Sequence, residues 1–237
     1  MKRFPLHGLP RATTLVMTGL VVTSLNAWAG RPFTTEDAGV LDKGACEWET
    51  TRSRLKSAAT ATLIYAQAGC GWAEGVQVNL GTGRSREGAA REDVPMLSGK
   101  WRLQDGGEDG TSWILAGSAS GRRPAGASLR LSTIALNLVA SRPLAAGWTG
   151  HANLGTVREH DGGRSRGTWA LAAERPIAEG LDLGVEVYQE GQGRPWQALG
   201  VRWLVAPGWT LYGSAGQRSS STAGTERLQT LGFKLDF

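Results

Sequence analysis

In Leu181-Asp182-Leu183-Gly184-Val185-Glu186-Val187 every odd position is apolar and every even position is polar or glycine. A helix with one apolar face needs apolar residues three and four apart. A strand between an apolar and a polar medium needs them two apart. Val76-Gln77-Val78-Asn79-Leu80 has the same period, and so does the C-terminus, Leu231-Gly232-Phe233-Lys234-Leu235-Asp236-Phe237. Extending this reading along the chain predicts twelve strands of the length that crosses a bilayer at a tilt. They fall at 45–55, 61–72, 75–86, 94–104, 111–121, 128–141, 147–158, 167–175, 180–190, 195–205, 208–218 and 226–237. One segment breaks step. Arg130 and Ser132 share parity with Ile134, Leu136 and Leu138, so a bulge or a change of frame is expected near Ser132.

The connections alternate in character. Ala73–Gly75, Asp105–Gly110, Pro143–Gly147, Pro176–Gly180 and Ala206–Gly208 read as short turns. Arg142-Pro-Leu-Ala-Ala-Gly-Trp148, Arg175-Pro-Ile-Ala-Glu-Gly-Leu181 and Val205-Ala-Pro-Gly-Trp209 are variants of one turn, with Pro where no ladder donor is needed. Glu87–Asp93, Arg122–Ala127, His160–Arg166, Gly191–Arg194 and Ser219–Thr225 read as longer, Arg-, Ser- and Gly-rich loops. Short turns on one side and longer loops on the other is the outer-membrane barrel pattern, which places an even-stranded barrel's termini in the periplasm. Trp72, Trp148 and Trp209 flank short turns, and Trp101, Trp113 and Trp203 lie close to one, as in an interfacial aromatic girdle. Arginines 84, 86, 91, 122, 123, 164, 166, 194 and 218 collect at the loop ends, a basic rim suited to phosphates of lipopolysaccharide.

Composition agrees. Glycine, 34 of 237 residues, is about twice its usual share and weakens any helical reading. Two cysteines exclude a disulfide-stapled mini-protein and a multi-cysteine zinc module. Met1–Ala29 reads as a secretory signal: Lys2, Arg3 and Arg11, an apolar stretch at 14–25, and Ala27-Trp28-Ala29 before a cut at Gly30. Without it, 23 basic residues face 21 acidic ones. That near-balance argues against a nucleic-acid partner. The expected division is signal 1–29, a periplasmic segment 30–44 and a barrel 45–237, in a bacterial outer membrane.

Cys46 and Cys70 sum to the same number as every pair in a hairpin centred near Ala58, so they face each other on one side of the first two strands. A structural disulfide is expected in an oxidising compartment. The last strand ends on Phe237, with Phe233, Leu235 and Leu231 on the same face, as in the signal read by the barrel-assembly machinery.

Arg31-Pro-Phe-Thr-Thr-Glu-Asp-Ala-Gly39, Gly44-Ala-Cys-Glu-Trp-Glu49 and Gly147-Trp-Thr-Gly-His-Ala-Asn-Leu-Gly155 resemble a family of transporter-like outer-membrane proteins grouped under the meta-pathway of phenol degradation. The resemblance runs over most of the mature chain. It implies a barrel and the passage of small solutes, aromatic compounds among them.

Alternation assigns the polar face to the lumen. The candidate pore residues are Glu47, Glu49, Gln67, Gln77, Asn79, Lys100, Arg102, His151, Asn153, Asp182, Glu186, Arg202, Lys234 and Asp236. Twelve strands lie between the eight that side chains fill and the sixteen of an open porin, so a narrow aqueous pore is expected. A salt-bridged, filled lumen in a structural or surface-interaction barrel is the alternative. Residues 31–42 are expected to enter the mouth, with Glu36 and Asp37 meeting a cation there. An outer-membrane hydrolase is disfavoured. A hairpin centred near Ala145 pairs His151 with Val139 and leaves Ser141 as its diagonal neighbour, and no GxSxG elbow occurs. Gly81–Gly88 lacks the ending of a phosphate loop. No catalytic residue, metal or cofactor is expected.

Overall fold

The computed structural model describes residues 33–160, 163–190, 193–220 and 224–237. The expected signal sequence and its cleavage site lie outside them. The chain forms one closed antiparallel barrel of twelve strands, each paired with its neighbours in sequence and β1 with β12. The strands are β1 (Cys46–Lys56), β2 (Thr60–Ala73), β3 (Val76–Glu87), β4 (Ala90–Gln104), β5 (Ser112–Pro124) and β6 (Arg130–Pro143), then β7 (Thr149–Glu159), β8 (Ser165–Ala178), β9 (Leu181–Glu190), β10 (Trp196–Ala206), β11 (Trp209–Ser220) and β12 (Gly224–Asp236). Closure removes the exposed sheet edges, so every strand's ladder is satisfied within the wall. Cys46 and Phe237 complete the seam by exchanging both backbone hydrogen bonds, at 2.8 and 2.9 Å.

The bulge sits where parity requires it. Ser120 pairs with Thr133 and Gly121 with Leu131, leaving Ser132 as the extra residue. Similar shifts leave Trp72, Leu103, Ile177 and Val205 unpaired beside the short turns. Each projects an additional apolar side chain outward at that rim, Trp72 most fully at 78 % exposure. In three of the two-residue turns a glycine of positive φ (Gly75, Gly180, Gly208) closes the reversal, and its carbonyl accepts from the adjacent strand at 2.7 to 2.9 Å.

The outside is apolar in a belt. Ile64, Leu80, Leu97, Leu136, Leu154, Leu171, Leu199 and Leu231 are all exposed. Trp48, Trp101, Trp113, Trp203 and Trp209 stand outward near the short-turn rim. Trp209 stacks on Phe233 with centroids 6.3 Å apart. Such an exterior is stable only against lipid.

Loop length does not distinguish the two ends. The stretch expected to be a loop at Glu87–Asp93 is a two-residue turn at Gly88 and Ala89, and β5 runs on to Pro124. Among connections that are fully described, those at the loop end span two to five residues, whereas the short-turn end includes the seven-residue 105–111. Strands project beyond the belt at the loop end, where polar residues on both faces hide the alternation. The basic rim is also more balanced than expected. Arg84 and Arg123 pair with Asp93, Arg122 with Glu92, Arg166 with Glu159 and Arg218 with Glu226, and Arg122 and Arg218 lie on the inward face.

Candidate functional site

Strand parity turns all the candidate lumen side chains inward, and hydrogen bonds and ion pairs join them into patches. Near the short-turn rim Lys234 lies 3.7 Å from Glu47 and 3.1 Å from Asp236. One strand spacing away, Gln67 donates to Glu49 at 2.7 Å, and the Tyr212 hydroxyl donates to the other Glu49 oxygen at 2.5 Å. Gln77 donates to Glu47 and to Asn79, and Asn79 donates to Ser98. On the opposite wall Arg202 sits 2.9 Å from Asp182 and 3.4 Å from Glu174. A charge shared among neutralising partners and amides is tolerable at low exposure; an isolated one is not.

Residues 33–44 occupy the space these walls enclose. The segment enters beside β2, where Gly44 and Ala45 bond to Gly71 and a Cβ on Gly71 would overlap the Asp42 carbonyl. It continues with almost no secondary structure, so its backbone groups need partners elsewhere. The wall supplies them. Leu41 N–H donates to Gln77, Ala38 N–H to Ser141 Oγ and Glu36 N–H to Asn153 Oδ1, at 2.7 to 3.0 Å. Asn153 returns a bond to the Glu36 carbonyl. Arg102 donates to the Val40 carbonyl. Lys100 reaches Glu36 at 3.0 Å, Asp37 at 3.7 Å and the carbonyls of Asp37 and Gly39. At the inner end Thr34 and Thr35 donate backbone N–H groups to Glu186, joined by the Thr35 hydroxyl. Phe33 packs over Gly184, where any side chain would collide with its ring. Ala38 and Val40 fill an apolar pocket against Ile114 and Val139, both fully buried.

Ser141, His151 and Glu174 form a row under the segment. Ser141 Oγ is 2.7 Å from His151 Nδ1, and His151 Nε2 is 3.6 Å from Glu174. The register here corrects the sequence reading. Ser141 lies directly opposite His151, and Val139 pairs with Asn153. The five-residue connection 144–148, with Ala146 and Gly147 at positive φ, moves the hairpin's centre by one residue, so each pairing shifts by two and parity is unchanged. Serine, imidazole and carboxylate in sequence invite a hydrolytic reading, but its other requirement is unmet. An oxyanion needs donors beside the nucleophile, whereas the wall N–H groups here belong to sheet ladders and Ala38 already donates to Ser141 Oγ. The row meets the segment through Ser141, which accepts the Ala38 N–H.

Beyond the segment lies a cavity of about 270 Å³ bordered by Phe33, Thr34, Glu186, Tyr188, Glu190 and Ser214. Tyr188 stacks on Trp196 at 6.2 Å, and the Arg218 guanidinium lies 4.7 Å over the Trp196 ring. Parity marks Tyr188 and Trp196 as inward too, but a search for polar lumen residues does not find aromatic ones, and Arg218, read from the sequence as part of the outer rim, turns inward over Trp196.

Comparison with known proteins fits this architecture. No family model and no curated protein matches the sequence. Among solved structures, an outer-membrane channel from Pseudomonas putida F1 superposes with TM-score 0.58 at 9 % identity, over 86 % of this chain and all of that one (100 %). The KdgM porin, in a complex with oligogalacturonate, gives 0.56 at 7 % identity over 80 % and 99 %. The NanC porin gives 0.55 at 7 % over 79 % and 98 %. These similarities establish a shared fold. Fold and apolar exterior together are those of a bacterial outer-membrane β-barrel.

Proposed function

We propose that the protein is an outer-membrane channel for small polar solutes, with residues 33–44 as its stopper and the short-turn end facing the periplasm. The observation that carries this reading is the nature of the obstruction. The wall is a complete barrel with a charged inner face, and what fills it at one end is a chain segment outside the sheet, held through polar side chains. The segment lies outside the sheet, so its release breaks none of the ladder bonds that close the wall. The resemblance to the meta-pathway family extends the proposal to small aromatic solutes, for which the cavity bordered by Phe33 and Tyr188 is the candidate site. A permanently filled structural barrel is the second reading, favoured by the number of wall residues that bind the segment.

Planar-bilayer recording separates the two. A variant lacking residues 33–42 is expected to show larger and more frequent unitary steps than the intact mature protein. A correctly folded deletion variant that stays silent overturns the channel reading.

A further inference from the structure

The outer face of the wall carries a feature the channel does not use. At the loop end, β12, β1, β3 and β4 present Arg227, then Arg52, Arg54 and Lys56, then Arg84 and Arg86, then Arg91 outward. The acid on that stretch of wall is Asp93, which pairs with Arg84 and Arg123. Arg52, Arg54, Lys56 and Arg227 are exposed and form no ion pair with any described residue. The patch is one-sided. The corresponding outward positions on β9, β10 and β11 are the neutral Gln189, Gln197 and Gln217, and β7 contributes Arg158 alone.

Register makes it more than a cluster. Arg54 lies opposite Thr62, and Thr62 lies opposite Arg86, so two guanidinium groups flank one hydroxyl across three adjacent strands. Their Cα atoms are about 10 Å apart at normal strand spacing. Both side chains can therefore reach one group above Thr62. Two forked donors and a hydroxyl suit a phosphate, which accepts bidentate bonds from arginine. The next row inward is Leu231, Arg52 and Ile64, with Leu231 68 % and Ile64 53 % exposed. The cations thus begin where the lipid-facing belt ends. A ligand held here would have its charge over Thr62 and its apolar part against Ile64 and Leu231.

We propose that this face binds the phosphorylated headgroup of a lipid in the adjoining leaflet, with Arg54, Thr62 and Arg86 as the clamp and Lys56, Arg227 and Arg91 around it. Lipid A, the phosphate-bearing anchor of lipopolysaccharide, has this chemistry; that source rests on the reading that the loop end faces outward. The binding itself does not depend on conductance.

The test is native mass spectrometry of the mature protein in neutral detergent, titrated with diphosphoryl lipid A and, separately, with phosphatidylethanolamine. Arg54→Gln/Arg86→Gln is expected to weaken lipid A binding by about tenfold. The same variant should leave phosphatidylethanolamine uptake unchanged, and Arg158→Gln, on the opposite wall, should match the wild type. All variants must keep heat-modifiable migration; the three positions are exposed, and Arg86 gives up only its bond to the Gly88 carbonyl. Equal lipid A binding by wild type and double variant overturns the proposal. So does an equal loss in Arg158→Gln. Displacement of bound lipid A by excess inorganic phosphate would show a free-phosphate site and overturn the lipid assignment.

Discussion

Lys100 ties the segment from two sides, through the carboxylates of Glu36 and Asp37 and the carbonyls of Asp37 and Gly39. Its side chain is 13 % exposed and that of Asp37 only 3 %. Removing one member of a buried pair strands the other, at about 3 kcal/mol or more; Glu36, partly open to water, softens that. Lys100→Met is therefore expected to loosen residues 33–44 by about 2–3 kcal/mol, read as faster protease cleavage within the segment while the barrel stays resistant. Gly184→Leu should act alike by a different route, displacing Phe33 without touching a charge. If both variants leave cleavage unchanged, the segment is not held as described. At this scale the sequence was half legible. Parity turned Lys100, Asn153 and Glu186 inward, and the charges of Glu36 and Asp37 announced a cationic partner. That Asn153 and Ser141 would bond backbone groups over 100 residues distant had no local signature, because the segment has no period to read.

The first hairpin shows what an element's arithmetic can do. Cys46 faces Cys70, and the bond between them is formed. It crosses β1 and β2 at the rim where the segment turns inward, so it anchors the β1 end as well as the hairpin. Linking residues 24 apart removes unfolded-state freedom worth about 3 kcal/mol in the chain-entropy view. Cys46→Ser/Cys70→Ser is expected to lower the temperature at which the barrel loses heat-modifiable migration, and reductant should do the same to the native protein but not to the variant. Strand ends were less legible than strand centres. Within the belt, lipid on one side and polar groups on the other enforce alternation. Past it, water touches both faces, so the hydrogen-bonded residues 90–93 and 122–124 look like loop. The turn at 144–148 was misjudged for a related reason: its length depends on positive φ at Ala146, a residue type that does not advertise that conformation.

For the molecule as a whole, the apolar belt and the closed ladder make one joint prediction. The protein should leave membranes only with detergent, and boiled and unboiled samples should migrate differently in a denaturing gel. A form extracted by high salt alone would contradict the belt. Fold, strand number and the bulge at Ser132 were all readable because each follows from a period of two over many residues. The state of the lumen was not. An open pore and a stoppered one present the same inward side chains, and only the placement of a non-periodic segment separates them.

Phe33 lies deep within the barrel, whereas Phe237 is 71 % exposed at its rim. This matters for anyone fitting the protein with a handle. A bulky probe attached at Phe33 itself would sit inside the molecule and crowd the interior, so a preparation labelled there would behave as an opened one. A tag behind Phe237 starts in the open but extends the strand that closes the seam. Ser128, exposed in the connection between β5 and β6, is the position where a fluorophore or epitope would report on the protein without altering it.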